Sequence, residues 1–405
     1  MTKRAVENIK SVAIVLLLAV TVALGYYSGA FSGLLTRNNA LGNTESVIPN
    51  YTASEAARPI AIVFTDDDGV RTAAQYDTAL RDTLYERTRG TIGAAVAYAG
   101  SAETCDETEW REALVSSGVY YEYSDELPIA VICGWLGNTA PDLKAGGLTR
   151  RAALRFDNKT LYFSTDSGFT KYVTAQFGEK PSIPETAAVR VNFAFETDEK
   201  SPSPYTLLFG NSVFPRYAVQ NPLSETNTGA VLTELGVPPG LQPSYSDSEG
   251  TQVYVTGAFS LSLSTGGAVA YRLFEEPTEY ERLPLGDSVE IARRAVFVGD
   301  LAAGSARLYC VGAEYDGERT LVYFDYFVGG GRVYLNADHA ATIELRGSTI
   351  VAKNIVFREF MPTTADPTAL LPIKQSIAAA SGEVQLAYAE TGDGIAVPYW
   401  REVRL

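Results

Sequence analysis

The feature that most constrains this fold is an apolar segment near the N-terminus that contains no charge. Residues 11–36 hold no charged side chain, and residues 12–24 read VAIVLLLAVTVAL. A transmembrane helix needs about 20 mostly apolar residues, and residues 12–31 supply that length. The segment therefore predicts a transmembrane anchor over residues 11–35.

The charges before this segment predict its orientation. Lys3, Arg4 and Lys10 form a basic start at residues 1–10, and positive flanks stay in the cytoplasm. We expect a single-pass protein of the cell membrane, with a cytoplasmic N-terminus and the bulk of the chain extracytoplasmic. The alternative is a cleaved secretory signal, because Ala23-Leu24-Gly25 has the small-x-small pattern of a cleavage site.

Glycines recur every four residues toward the end of the segment. Gly25, Gly29 and Gly33 share one helix face, and small residues at this spacing let two membrane helices approach closely. We therefore predict that Gly25 and Gly29 bind a partner helix. The alternative is a flexible exit from the bilayer, which applies best to Gly33.

Charge and residue counts exclude several function classes. Residues 38–405 hold 29 basic and 47 acidic side chains, a formal charge of −18, which repels nucleic acid. One histidine and three widely separated cysteines do not build a His-rich or Cys-x-x-Cys metal site. We expect no metal, no cofactor and three ordinary packed thiols.

The predicted fold class is α+β. The chain has 24 Tyr and 17 Phe, an enrichment that favours strands. We expect the transmembrane helix to precede two or three extracytoplasmic domains with antiparallel sheets and flanking helices. The expected boundaries are a linker at 36–57, a first α+β domain at 58–140, a second α+β domain at 148–275 and a C-terminal α+β domain at 283–405.

Local patterns predict individual elements. The spacing of Tyr76, Leu80 and Leu84 predicts a helix over residues 72–87, and Asp106 has the pattern of a helix cap. Further predictions are a turn at 124–128, a helix at 168–177, hairpin turns at 157–159 and 266–267, a helix capped at Asp287/Ser288 and a last helix at 372–380.

No catalytic constellation emerges from the sequence. There is no Gly-x-Ser-x-Gly elbow and no Ser-x-x-Lys pair, which removes the main serine-nucleophile signatures. His339, the one imidazole, lies between apparent strands and is expected to be a solvated loop residue. Asp66-Asp67-Asp68-Gly69 is expected to form a turn, because consecutive carboxylates do not alternate as calcium ligands do.

Three stretches resemble the YycH regulatory family of Gram-positive bacteria and its YycI relatives. Gly118–Gly137 (GVYYEYSDELPIAVICGWLG) joins an aromatic strand to acid-Leu-Pro-Ile and an apolar run. Thr251–Phe274 reads TQVYVTGAFSLSLSTGGAVAYRLF, and Leu371–Val403 contains LPIKQSIAAA, LAY and VPYW. The order of anchor and linker fits the same family.

The resemblance implies a non-enzymatic regulator. Its exported domains, some of them PepSY-like, and its membrane helix would contact a sensor histidine kinase that governs cell-wall metabolism. A related membrane-anchored regulator is a second candidate partner, and no catalytic residue is carried over. Two alternatives remain open: an exported module that binds wall polymer or peptide, and a wall hydrolase using two of the many carboxylates.

Overall fold

The computed structural model describes residues 52–137, 147–183, 191–198, 200–223, 225–296 and 304–403. The predicted basic start, the anchor at 11–35 and most of the linker lie outside these residues, as do Gly25 and Gly29. Within the described ranges, no helix has both the length and the hydropathy that a membrane crossing requires.

Seven antiparallel strands form the first sheet. They are β1 (Ala61–Thr65), β2 (Arg71–Ala74), β3 (Ala99–Cys105), β4 (Gly118–Pro128), β5 (Leu148–Arg155), β6 (Thr160–Thr165) and β7 (Gly168–Thr174). Their order across the sheet is β2-β1-β4-β5-β6-β7-β3. The boundary expected between residues 140 and 148 falls inside this sheet, because β4 pairs with β5.

Helices cover both faces of the first sheet. They are α1 (Ala53–Ala56), α2 (Thr78–Ala97), α3 (Glu107–Val115) and α4 (Ile129–Trp135). Successive strand residues point to opposite faces. Accordingly Ile62 of β1 packs in one buried cluster with Leu84 of α2, whereas Val63 packs in another with Trp110 of α3.

The second sheet has thirteen strands. They are β9 (Tyr217–Gln220), β10 (Tyr245–Ser246), β11 (Gln252–Val255), β12 (Phe259–Leu263), β13 (Ala268–Leu273), β14 (Arg307–Asp316), β15 (Arg319–Val328), β16 (Gly331–Tyr334), β17 (Ala341–Arg346), β18 (Thr349–Val356), β19 (Glu359–Pro362), β21 (Glu383–Thr391) and β22 (Ile395–Val403), while β8 (Val213–Phe214) pairs separately with β20 (Thr368–Ala369). The only parallel pair of this sheet in the described chain is β16 with β21.

Strands from both sides of the boundary expected at 275–283 share this second sheet, since β13 pairs with β18. The remaining helices are α5 (Glu225–Glu234), α6 (Leu285–Ala295) and α7 (Ile373–Ala379). The largest buried cluster runs without a break from the α2 face of the first sheet to the inner side of the second, where it includes Phe324. The described chain is therefore α+β, as predicted, with its two sheets packed around a shared core.

The helix predicted at 168–177 is wrong, and the one predicted at 72–87 is confirmed only from Thr78 onward, for the same physical reason. Residues 71–74 form strand β2, and α2 begins only at Thr78, where Asp77 Oδ1 accepts a hydrogen bond from Leu80 N at 2.9 Å. Residues 168–174 form strand β7, which pairs with β6 on one side and β3 on the other. In both places strand pairing overrides the helical pattern of the local sequence.

Most other local predictions are confirmed, but the turn predicted at 124–128 is wrong, because these residues are part of strand β4. Asp106 caps α3, where its Oδ1 accepts from Glu109 N at 2.8 Å. The hairpin turn before β13 contains Gly267 at φ +82°, where an added Cβ would lie 2.4 Å from Asn221 Oδ1. Helix α7 matches the predicted last helix, whereas α6 begins at Leu285 rather than at the predicted Asp287/Ser288 cap.

Candidate functional site

A cavity lined by several charged side chains lies where the two sheets face each other. This cleft has a volume of about 770 Å³, within the size range of small-ligand sites. Its lining residues are Ser124, Asp125, Arg150, Arg332, Tyr334, Leu335, Ala337, Asp338, His339, Gln385, Arg401, Glu402 and Val403.

Arg150, one of these lining residues, belongs to a buried group of four charges, here called the ionic contact. Arg150 donates to Glu122 Oε1 at 2.8 Å and lies 2.9 Å from Glu383 Oε1. Arg151 lies 3.2 Å from the same Glu122 oxygen and 2.9 Å from the same Glu383 oxygen. Glu383 belongs to β21 and the other three to β4 and β5, so the ionic contact joins the two sheets.

A bulge in β5 allows two neighbouring arginines to reach the same carboxylates. In a regular strand Arg150 and Arg151 would point to opposite faces. Here the register against β6 shifts between Thr149 and Arg151, which places one extra residue in β5 and turns its side chain. The Thr149 hydroxyl donates to Ser164 O at 2.6 Å and accepts from Arg151 N at 3.2 Å.

The surroundings favour the charged forms of Glu383 and of both arginines in the ionic contact. Burial alone would raise the pKa of Glu383, but the guanidinium groups of Arg150 and Arg151 hold that pKa below its ordinary value. The same carboxylates raise the pKa of both arginines against the opposing effect of burial. With the Gln385 amide oriented to face Arg150, its oxygen accepts from both terminal nitrogens at 2.8 and 2.9 Å.

The wall of the cleft is organised around Asp325, whose side chain is only 4% exposed. Its Oδ2 accepts from Arg332 Nε at 2.9 Å and lies 3.0 Å from His339 Nδ1, while its Oδ1 accepts from Ala340 N at 2.7 Å. The His339 ring stacks on Tyr323, with centroids 4.4 Å apart. The prediction of a solvated loop histidine is therefore wrong.

One arginine at the rim of the cleft contacts an aromatic ring instead of a carboxylate. The guanidinium of Arg401 lies 3.6 Å from the centre of the Tyr334 ring. Arg332 also approaches this ring, at 5.1 Å, but is paired with Asp325 and with Asp125 at 3.4 Å. No carboxylate of the described residues lies within ion-pair distance of Arg401.

A second cavity, of about 430 Å³, lies between α5 and the β11–β12 hairpin. Its lining includes Leu232, Tyr254 and Thr265, and none of the described residues that line it is charged. The cleft between the sheets is the stronger candidate site, because its side chains can recognise a charged group as well as shape.

The other residues singled out in the sequence lie away from the cleft. Asp66 closes the predicted turn between β1 and β2, where its Oδ1 accepts from Asp68 N at 3.0 Å and from Val70 N at 2.8 Å. Across the described ranges, no three His, Cys, Asp or Glu side chains converge as metal ligands. Cys133 and Cys310 are buried free thiols, and burial raises the pKa of Cys310 to about 12.

Apart from His339, whose environment was predicted differently, sequence reasoning missed the cleft residues. The one local signal was Arg150-Arg151, two adjacent cations inside a strand whose neighbours are mostly apolar. Adjacent buried cations require carboxylates nearby, yet nothing in the sequence says that Glu383, 232 residues away from Arg151, provides one of them.

A solved crystal structure has a similar fold. The chain is similar to the crystal structure of YycH from Bacillus subtilis, with a TM-score of 0.50 and 13% sequence identity over 87% of this chain and 95% of that one. No protein-family model matches the chain, and no curated protein matches its sequence. The described part of the chain thus has a YycH-like α+β fold, in agreement with the resemblance of its three sequence stretches.

Proposed function

We propose that this chain is a non-enzymatic, membrane-anchored regulator whose exported part acts on a sensor histidine kinase controlling cell-wall metabolism. The observation that carries the proposal is the fold likeness to YycH, which extends over 87% of the chain. The sequence supports it through the uncharged segment at 11–36, which would anchor the protein in the membrane.

The regulator would act by binding one state of the kinase more tightly than another, because a ligand shifts an equilibrium only by its differential affinity. Two surfaces are available for this contact. The Gly25/Gly29 face would pack against a kinase membrane helix. The exported sheets, joined by the ionic contact, would present a fixed surface to the kinase sensor domain.

The test is crosslinking of the full-length protein in its native membrane, with partners identified by mass spectrometry. We expect a sensor histidine kinase among the dominant partners, and a related membrane-anchored regulator beside it. Recovery of wall polymer alone would contradict the kinase proposal and favour an exported binding module. Recovery of cleaved wall fragments would favour the hydrolase.

Replacing the two glycines tests the helix contact separately. Gly25→Leu with Gly29→Leu is expected to lower recovery of the kinase, because the larger side chains keep the helices apart. Ala23→Leu is the matched control, since 100° per residue places Ala23 on the far side of the helix. Equal recovery from both variants would show that the exported domains alone provide the binding surface.

A further inference from the structure

Arg401 is the one described arginine of the cleft that forms no ion pair with a described carboxylate. Arg150 is bound by two carboxylates and Arg332 by two others. Arg401 is instead held flat against Tyr334, 3.6 Å from the ring centre. Stacking fixes the plane of a guanidinium without occupying its N–H donors, because these donors lie in that plane.

We propose that the cleft binds a short peptide by its free C-terminal carboxylate, and that Arg401 holds this carboxylate through two parallel hydrogen bonds. A planar carboxylate matches the guanidinium fork and forms the stronger, charge-assisted kind of hydrogen bond. Gln385, opposite Arg401 in the β21–β22 pair, also lines the cleft.

The remaining charges of the cleft favour a zwitterion over a phosphate. Asp125, Asp338 and Glu402 line the same cavity as Arg401, so a dianionic group would meet three carboxylates and one available cation. A peptide places one negative charge at Arg401 and offers an ammonium group to the acids. Asp338 is exposed and suits that role, whereas Asp125 is already shared with Arg332.

The volume of the cleft fits this class of ligand. About 770 Å³ lies in the upper part of the range for small-ligand cavities, and a peptide of a few residues fills such a space. Peptide binding goes beyond the proposed regulatory role. It also does not depend on that role, because it is argued only from contacts within the described chain.

The test uses the full chain in detergent and two synthetic tripeptide libraries that are identical except for a free or an amidated C-terminus. Retention of each peptide is measured by equilibrium dialysis and mass spectrometry. We expect the best free acids to bind at least about tenfold more tightly than their amides, since the amide cannot form the charged pair. Equal retention of acids and amides, or retention of neither, would overturn the proposal.

Variants locate the binding to Arg401. Arg401→Leu is expected to remove the preference for free acids, and Arg401→Lys to retain only part of it, because an ammonium keeps the charge without the fork. Arg272→Leu is the control, since Arg272 is exposed on β13, outside the cleft. If Arg401→Leu folds and retains the full preference for free acids, the site is not at Arg401. Should the leucine variant fail to fold, a full preference in Arg401→Lys leads to the same conclusion.

Discussion

Two of the contacts that join the two sheets have opposite chemistry. The ionic contact joins Glu122, Arg150 and Arg151 of the first sheet to Glu383 of the second. The other, here called the helical contact, consists of α4 packed against α6. In the helical contact both helices bury apolar side chains in the shared core, Val131 and Ile132 from α4 and Val289 and Ala292 from α6. One polar pair, Trp135 Nε1 donating to Glu290 Oε2 at 2.9 Å, also joins them.

The difference concerns what each contact adds to the fold. Buried charges lose hydration, so a complete ion cluster adds little net stability. Removing one member is strongly destabilising, because it leaves a buried charge without its partner. Apolar packing adds stability in proportion to buried area. The ionic contact therefore fixes which strands of the two sheets face each other, while the helical contact and the shared core supply more of the free energy that holds them together.

The largest expected effect is the loss of one member of the ionic contact. Glu383→Ala leaves two buried guanidinium groups with Glu122 as their remaining carboxylate in the cluster. We expect the free energy of unfolding to fall by about 3–5 kcal/mol, measured by urea denaturation. Glu249→Ala, in the exposed turn between β10 and β11, is the control and should change it by less than about 0.5 kcal/mol. A loss below about 1 kcal/mol in Glu383→Ala would mean that the cluster is solvated.

A smaller effect is expected from crowding α2 against the end of α4, the helix that the first sheet contributes to the helical contact. Gly93 in α2 lies so close to the chain after α4 that an added Cβ would be 2.7 Å from Leu136 O. Gly93→Ala should therefore cost about 1–3 kcal/mol, because backbone must move. Gly90→Ala in the same helix has no atom within 4 Å of the added Cβ and should stabilise by about 0.5–1 kcal/mol. Thermal unfolding of the Gly93→Ala and Gly90→Ala variants measures this difference in stability. Equal melting temperatures of the two variants would contradict the prediction.

The same contrast explains how far the sequence could predict this structure. Hairpin turns and the Asp106 cap depend on neighbours within a few residues, and they are where the sequence placed them. The helix predicted at 168–177 is wrong because β7 lies between two partner strands, one of which, β3, is remote in sequence. Local patterns predict an element when the groups that stabilise it are also local.

The cleft is the extreme case of this limit. The ionic contact beside it pairs Arg151 with Glu383 across 232 residues, and its wall pairs Arg332 with Asp125 across 207 residues. Charged residues at such separations have many alternative partners in a chain with 48 acidic side chains. The sequence could thus predict the α+β class, but not which of those acids meet at the interface.

The last and smallest expected effect is a pH dependence of the helical contact. Burial alone would raise the pKa of Glu290, but hydrogen bonds from Arg293, Trp135 and Arg294 lower it to about 2. Because the folded pKa lies below the unfolded one, Glu290 stabilises the fold above about pH 4.5, and this contribution disappears as the pH falls toward 2. Since the carboxylate is partly exposed, we expect it to contribute about 1 kcal/mol to the free energy of unfolding.

Glu290→Gln isolates this contribution. The variant should be less stable than the parent at pH 7 and should approach it as the pH is lowered from 5 to 3, because only the parent loses a charged hydrogen-bond acceptor there. Urea unfolding at pH 7, 4 and 3 measures the difference. A constant difference in the free energy of unfolding between variant and parent at all three pH values would show that the helical contact does not depend on the charge of Glu290. The two contacts would then differ in kind, with charge mattering only at the ionic one.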